Sequence, residues 1–286
     1  MTLEYGLIYG YQLQGLTHMP KANVNGINLY YEVHGGGEPL VLIQGLAGDH
    51  RGWFFQTRTF KKYFQVIIFD NRGIGRSDKA PGQYTVRDLA DQAIGLMDHL
   101  QIDKAHILGK SMGGMVAQEL AINYPERLKK LVLVCTATGD GDKSEVHPVL
   151  LRALRGKQDS VETDLKGIDF EKSMVTITAL SFNSRLYRMI FVPLTKFYLR
   201  RVGIQGHLKQ MEAIVGHSTK DRLHLIKAPT LVMTGSEDRI ISPHSSEGIA
   251  GLIPNARLLN IEGASHAFGI EMPKRFNQEV LNFLKD

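Results

Sequence analysis

Two short motifs overlap at Ser111, and each predicts a different chemistry. Gly109-Lys110-Ser111 matches the end of a phosphate-binding loop, whose backbone amides wrap the phosphates of a nucleotide. The longer run Gly109-Lys110-Ser111-Met112-Gly113 surrounds a serine that attacks carbonyl carbons from a sharp turn between a strand and a helix. A phosphate-binding loop also needs a glycine five positions before Gly109, but lysine stands there, followed by apolar residues typical of a strand. The sequence therefore favours a nucleophilic serine over nucleotide binding.

A serine hydroxyl is a weak nucleophile, so it needs a base and a carboxylate that orients the base. The chain supplies Ser111, then Asp238, then His266, one of the orders in which such triads occur. Asp238 and His266 each follow a short apolar run that predicts a strand, so all three should meet at the carboxyl ends of parallel strands. Asp140, which follows an earlier predicted strand, is the alternative acid.

The tetrahedral oxyanion that forms when serine attacks a carbonyl needs hydrogen-bond donors. A glycine-rich turn follows the first strongly apolar run, and it predicts the Leu46 amide as one donor. Met112, directly after the serine, supplies the second amide. We assign Gln44, Gly45 and Lys110 to substrate binding, and an ordinary turn is the alternative interpretation of the glycines.

These residues must be positioned by a regular fold, and the hydrophobic pattern predicts one. Short continuous apolar runs indicate strands buried on both faces, as in a parallel sheet. Helical patterns separate them, and one begins at Thr85 with Asp88 three residues later, which is a capping-box pattern. This alternation predicts an α/β fold with a doubly wound, mostly parallel sheet. The predicted strands are 39–45, 65–73, 105–110, 131–139, 229–235 and 256–263.

The alternation stops between residues 140 and 222, where the pattern is helical and no strand is convincing. We predict a core from 19–139 and 223–286, with 140–222 as a helical lid inserted between two core strands. From Arg185 to Lys209 the chain has six basic residues and no acidic one. These residues form either a solvated helix face or a lid that favours anionic or amphiphilic substrates. Residues 1–18 have no clear periodicity and are expected to be an extension before a natural start at Met19.

Composition excludes several classes of function. The 286 residues have a formal net charge of +5 and no block of Lys or Arg, so nucleic-acid binding is not expected. No apolar run has the roughly 18–20 residues of a membrane span. A single cysteine, Cys135, favours a reducing compartment, and we expect a cytoplasmic protein. The chain has no zinc-binding motif, and Asp78 interrupts a dinucleotide fingerprint that begins at Gly73, so we expect neither metal nor cofactor.

The chain resembles the lid-bearing α/β-hydrolases of the 3-oxoadipate enol-lactonase-like group. The matching stretches are LIQGLAGD, VIIFDNRGIGRSD, AHILGKSMGGMVAQELAINYPERLKKLVLV, RLHLIKAPTLVMTGSEDRI and IEGASHAF. The resemblance implies the sheet order, the Ser111–His266–Asp238 triad and cofactor-free hydrolysis of a carboxylic ester or lactone. Gln44 replaces a common histidine, and Lys110 replaces the histidine, asparagine, tryptophan or tyrosine that is common beside the nucleophile. Both departures leave the substrate open.

The main functional hypothesis is therefore a serine esterase or lactonase acting on a small molecule, with anionic substrates among the candidates. Hydrolysis of a C–C bond in a β-diketone or keto acid by the same triad is the alternative. An acyltransferase, perhydrolase or lyase is less favoured, as is a receptor that binds a ligand without catalysis. The oligomeric state stays open, with a homodimer as one alternative.

Overall fold

The computed structural model describes residues 20–79, 82–139, 170–202 and 205–286. The predicted extension 1–18 and the predicted start at Met19 lie outside the described residues. So do the first thirty residues of the predicted insert, 140–169, which include the alternative acid Asp140.

A single eight-stranded sheet forms the centre of the protein, and its strand order is β1-β2-β4-β3-β5-β6-β7-β8. Strands β3 to β8 are parallel to one another, whereas β2 is antiparallel to β4 and β1 is antiparallel to β2 at one edge. The predicted α/β class with a mostly parallel sheet is confirmed. The strands are β1 (Lys21–Val24), β2 (Ile27–His34), β3 (Glu38–Ile43), β4 (Phe64–Phe69), β5 (Ala105–Lys110), β6 (Leu128–Val134), β7 (Thr230–Gly235) and β8 (Ala256–Ile261).

Helices cover both faces of the sheet, which explains the continuous apolar character of its central strands. Successive residues of a strand point to opposite faces, so Val41 and Ile43 join one buried cluster while Leu40 and Leu42 join the other. Helices α2, α3 and α7 pack on the first face, and α1, α8 and α9 on the second. Their bounds are α1 (Phe54–Phe60), α2 (Val86–His99), α3 (Met112–Asn123), α7 (Pro243–Leu252), α8 (Phe268–Glu271) and α9 (Pro273–Lys285).

Helix α2 starts as the sequence predicts. The Thr85 side chain accepts from the Asp88 amide, and the Asp88 carboxylate accepts from the Thr85 amide, so the capping box is present. The sequence of residues 115–130 has a continuous helical pattern, which predicts a helix over this range. The helix ends earlier, at Asn123, because Pro125 opens a short 3₁₀ turn and β6 begins at Leu128. Proline cannot continue the hydrogen-bond pattern of a helix, so this boundary was visible in the sequence.

Three strands depart from the prediction. The β1–β2 hairpin was not predicted, although Asn25-Gly26 is a strong hairpin turn signal and both residues have positive φ, 51° and 78°. Strand β8 was predicted as buried on both faces, and that prediction was wrong. It forms the far edge of the sheet, where Leu258 is 42% exposed.

Between β6 and β7 stand the insert helices, which are α4 (Phe170–Ser181), α5 (Arg185–Val202) and α6 (Gln205–Ile214). The helical pattern predicted across 171–202 is divided by a turn at residues 182–184, hereafter the α4–α5 turn. Their Met174, Leu199, Leu208 and Met211 form a small buried cluster against Leu46 and Ala47 of the core. In the part of the chain that the structure describes, no helix combines the length and apolar character needed to cross a bilayer.

Replacing Gly113 by alanine should destabilise the protein. A Cβ there would lie 2.2 Å from the Ile43 carbonyl oxygen, so α3 must move away from β3. We expect a loss of about 3 kcal/mol in unfolding free energy, measured by guanidinium titration. Gly248→Ala is the matched control, because an added Cβ meets nothing within 4 Å in helix α7. Equal stabilities for the two variants would contradict this account of the packing.

Candidate active site

Ser111 occupies the turn between β5 and α3 with a strained backbone. Its φ is 53° and its ψ is −125°, a region that residues other than glycine rarely adopt. The Ser111 amide donates to the Val134 carbonyl at 2.9 Å, and the Thr136 hydroxyl donates to the Ser111 carbonyl at 2.7 Å. A Cβ at Gly109 would lie 2.2 Å from the Gly113 carbonyl oxygen, so glycine at 109 is required for this tight turn. The turn thus has the geometry that the motif predicts.

Asp238 and His266 form a buried pair on the loops that follow β7 and β8. The distance from His266 Nδ1 to Asp238 Oδ2 is 2.8 Å. Asp238 Oδ1 accepts from the Ile240 and Ile241 amides at 2.8 Å and 3.0 Å. Burial acts to raise the pKa of Asp238, but His266 and these two amides outweigh it and hold the pKa below its usual value. The carboxylate is therefore ionised and able to orient the imidazole.

Ser111 and His266 follow parallel strands of one sheet, so both lie at its carboxyl edge. No hydrogen bond joins the Ser111 hydroxyl to the His266 ring among the contacts of the described residues. The structure therefore brings Asp238 and His266 together directly and leaves the serine–histidine contact unformed. In enzymes without bound substrate this contact is often long and tightens in the complex.

The turn after β3 lies against Ser111. A Cβ at Gly45 would be 3.0 Å from the Ser111 Cβ and 3.6 Å from its Oγ, so a larger residue at 45 would push the two turns apart. The Leu46 amide donates to no acceptor in the described part of the chain. As the first residue of α3, Met112 has an amide with no partner inside the helix. Both amides predicted as oxyanion donors are therefore available beside the serine turn.

The Gln44 side chain lies inside the turn that it precedes. Its Oε1 accepts from the Gly45 amide at 3.0 Å. A Cβ at Gly48 would lie 2.4 Å from Gln44 Cγ, and one at Gly52 would lie 2.3 Å from Gln44 Nε2. The backbone is held from outside as well, since Asn71 Nδ2 donates to the Gln44 carbonyl at 3.1 Å. In this structure the Gln44 amide fills and braces the turn.

Lys110 is half-buried beside the nucleophile and has an uncommon environment for a lysine. No carboxylate of the described residues forms an ion pair with its ammonium group. Burial lowers the pKa of Lys110 below its ordinary value, and charges at Cys135 and Asp238 oppose this only in part. The Lys110 ammonium is thus a positive charge without a neutralising partner in the described part of the chain.

Sequence reasoning missed Cys135 as a member of the site. It follows β6 at the edge where Asp238 and His266 meet, and ligand atoms of the three residues lie within 4.8 Å of one another. Burial raises the pKa of the Cys135 thiol, and the Asp238 charge adds to the effect. Cys135 lies inside the predicted strand 131–139, whereas β6 ends at Val134, so the signal that identified the acid and the base did not mark it.

Gln210 of the insert helix α6 also escaped the sequence analysis. Its Oε1 accepts from the Ala47 amide at 2.9 Å, and Ala47 has a φ of 62°. This bond holds a strained residue of the turn that carries Leu46. No local motif marks such a residue, since its partner lies 163 positions earlier in the chain.

Within the described ranges of the chain, two clusters have the spacing that a metal ion requires. One is Cys135, Asp238 and His266, and the other is Asp49, His50 and Asp70. In both, the carboxylates already accept hydrogen bonds from the protein; the His50 amide and ring, for example, lie 2.7 Å from Asp70 Oδ1. These donors match paired carboxylates better than metal ligands, whose oxygens must face the ion.

Among the described residues, a strained serine on a strand–helix turn, an aspartate–histidine pair and two amides without an acceptor lie at one sheet edge, which is the arrangement expected of an α/β-hydrolase site. The model of the α/β hydrolase fold family matches residues 38–273, and the chain belongs to that family.

Similar proteins extend the comparison. "Putative carbamate hydrolase RutD" of Azorhizobium caulinodans is 28% identical over 268 residues, covering 93% of this chain and 98% of that protein. The enol-lactonase from Burkholderia xenovorans LB400 has a TM-score of 0.80 and 27% identity, covering 93% and 100% of the two chains. A meta-cleavage product hydrolase from Pseudomonas fluorescens IP01 has a TM-score of 0.79 and 26% identity, covering 93% and 97%. The predicted resemblance to the enol-lactonase-like group is confirmed, and the chain is a hydrolase of this fold.

Replacing Asp238 by asparagine should make stability less dependent on pH. The pKa of Asp238 in the folded state lies below the ordinary value of 3.8. The ionised carboxylate therefore stabilises the fold above that value, and this contribution is lost as pH falls through the folded-state pKa. We expect the free energy of unfolding of Asp238→Asn to be about 1.5–3 kcal/mol lower than that of wild type near neutral pH. This difference in unfolding free energy should narrow as pH falls below about 4.

The measurement is guanidinium unfolding from about pH 7 to about pH 3, with Asp103→Asn as control because Asp103 is exposed and remote from the site. A difference between Asp238→Asn and wild type that stays constant across this range would contradict the account.

Proposed function

We propose that this protein is a serine hydrolase that cleaves a carboxylic ester or lactone through an acyl-enzyme. The observation that carries the proposal is the 2.8 Å contact between His266 and an ionised Asp238, at the same sheet edge as the strained Ser111. An imidazole oriented by a carboxylate serves as the base that a serine hydroxyl requires.

In the proposed reaction, the Ser111 hydroxyl attacks the carbonyl carbon as His266 Nε2 accepts the hydroxyl proton. Asp238 accepts from Nδ1–H and stabilises the imidazolium that forms. The Leu46 and Met112 amides donate to the oxyanion. Collapse breaks the bond to the leaving oxygen, which takes the proton from His266. His266 then deprotonates a water molecule, which attacks the acyl-enzyme. The bond between the acyl carbon and Ser111 Oγ breaks, His266 returns the proton to Oγ, and the acid is released.

The serine–histidine hydrogen bond should form when a substrate carbonyl occupies the space between Ser111 and the two amides. Substrate excludes water from this space and turns the serine side chain toward the base. The insert helices support this role, since their apolar cluster packs on Leu46 and Ala47 next to the oxyanion amides. We propose that α4, α5 and α6 form the lid over the substrate.

Hydrolysis of a C–C bond is the second candidate, and the similarity to a meta-cleavage product hydrolase favours it. A carbamate, the substrate class in the RutD name, presents a carbonyl to the same nucleophile. These substrates differ in the atoms bonded to the carbonyl carbon, so one panel of aryl esters, lactones, carbamates and β-diketones compares them all. As a free cysteine, Cys135 is compatible with the proposed cytoplasmic location.

The substrate of this site is proposed to carry a negative charge. Lys110 directly precedes Ser111, and its ammonium has no ion-pair partner among the described residues. Keeping such a charge half-buried is unfavourable unless an anion meets it. A carboxylate on the acyl part of the substrate would supply that partner.

Ser111→Ala should abolish turnover. Removing the hydroxyl eliminates the nucleophile, so we expect kcat to fall on the order of 10⁴-fold on the best substrate of the panel. The same variant should not react with a fluorophosphonate probe, whereas Ser218→Ala should behave as wild type because the Ser218 hydroxyl only accepts from the nearby Lys220 amide. Full hydrolysis by folded Ser111→Ala would refute the assignment of the nucleophile.

The effect of Lys110→Met on KM should depend on the charge of the substrate. Methionine keeps the length of the side chain and removes the ammonium, so KM for an ester with a free carboxylate should rise about tenfold, and KM for its neutral amide analogue should not. Lys104→Met, an exposed lysine before β5, is the control. Equal changes in KM for both substrates would contradict anion recognition by Lys110.

A further inference from the structure

The α4–α5 turn touches both loops that carry the proposed acid and base. The Ala267 amide, directly after His266, donates to the Ser181 carbonyl at the end of α4 at 2.9 Å. Asn183 Nδ2 donates to the Gly263 carbonyl at 3.3 Å and to Glu237, the neighbour of Asp238, at 2.9 Å. The insert is therefore fastened to the catalytic edge of the sheet at this turn.

Glu271 lies at the centre of this contact. Its Oε1 accepts from the Ser184 amide at 2.8 Å, and its Oε2 accepts from the Asn183 amide at 3.3 Å. Both amides belong to the N-terminal end of α5, where the backbone has donors without helical partners and a negative charge is favourable. Glu271 thus caps a helix that is distant from it in sequence.

The same carboxylate also binds the residue before His266. Ser265 Oγ donates to Glu271 Oε2 and accepts from the Ala267 amide, the latter at 3.1 Å. Both chain neighbours of His266 are consequently tied into one network with Glu271 and the α4–α5 turn. A shift of this turn would move the backbone on either side of the imidazole.

Glu271 forms these bonds only as a carboxylate. It accepts from three donors, two backbone amides and one hydroxyl, and donates to none. A glutamine has the same size, but one of its two terminal atoms is a donor that would face another donor. The network therefore depends on the charge and acceptor capacity of Glu271 rather than on its volume.

We propose that Glu271 is a positioning residue for the hydrolytic reaction, which joins the α4–α5 turn to the His266 loop and so holds the imidazole in line with Ser111. This inference rests on the proposed function. Glu271 does not touch the reacting atoms and acts through Ser265 and Ala267. Because it aligns the base rather than binding substrate, its loss should lower kcat more than it changes KM.

The test compares Glu271→Gln, Ser265→Ala and the double variant with wild type. For Glu271→Gln we expect kcat to fall about 10- to 100-fold and KM to change less than about threefold. The rate of fluorophosphonate labelling of Ser111 should fall with kcat. The kcat of the double variant should lie within about twofold of the kcat of the slower single variant, because both changes break one network. The control is Glu279→Gln on α9, which pairs with Arg275 and leaves kcat unchanged.

Hydrogen exchange gives a measurement that does not depend on activity. Exchange of the amides of residues 183–188 and 263–271 should become faster in Glu271→Gln and stay unchanged in Glu279→Gln. A folded Glu271→Gln with wild-type kcat, labelling rate and exchange would overturn the proposal. If Glu271→Gln does not fold, Ser265→Ala decides alone, and wild-type kcat in that variant overturns it. A wild-type protein that never labels at Ser111 would instead refute the proposed hydrolytic function.

Discussion

The direct contact between the start of helix α3 and the ends of β3 and β5 is the constraint on which the active site depends. Gly109 and Gly113 allow backbone to meet backbone there, since a Cβ at either position would lie 2.2 Å from a carbonyl oxygen. This contact forces Ser111 to a positive φ and orients the unpaired Met112 amide beside it. The neighbouring Gly45 also brings the turn after β3 close to Ser111, since a Cβ at Gly45 would lie 3.0 Å from the Ser111 Cβ. The proposed nucleophile and the proposed oxyanion donors are thus positioned by backbone packing.

The proposed base and its acid are positioned by hydrogen bonds within and between loops, rather than by backbone packing. Asp238 is fixed by two amides of its own loop, and His266 depends on Asp238 and on the bonds of Ser265 and Ala267. The insert helices reach both halves of the site, through Gln210 at the oxyanion turn and through the α4–α5 turn at the His266 loop. This arrangement links the proposed lid to both halves of the proposed active site.

Much of the sheet and the candidate triad could be predicted because both rest on local signals. The parallel strands are continuous apolar runs, Ser111 lies in a motif whose glycines have a steric reason, and Asp238 and His266 each follow a strand. The contacts of Gln210 and Glu271 join residues 163 and 87 positions apart, and no local pattern specifies such pairs. Strand β8 was taken as buried because apolar content alone does not distinguish a central strand from an edge strand.

Among the described residues, the insert meets the core through a small apolar cluster, a few polar contacts and one close backbone contact, between Gly206 of α6 and Gly73. Side chains of the insert helices outside these contacts can change without disturbing the serine turn, where a Cβ at Gly109 or Gly113 would lie 2.2 Å from a carbonyl oxygen. We expect a protein built in this way to acquire new substrates through changes in the insert helices alone. Laboratory evolution of this chain should accordingly find changes of specificity in α4, α5 and α6, far from the glycines that shape the chemistry.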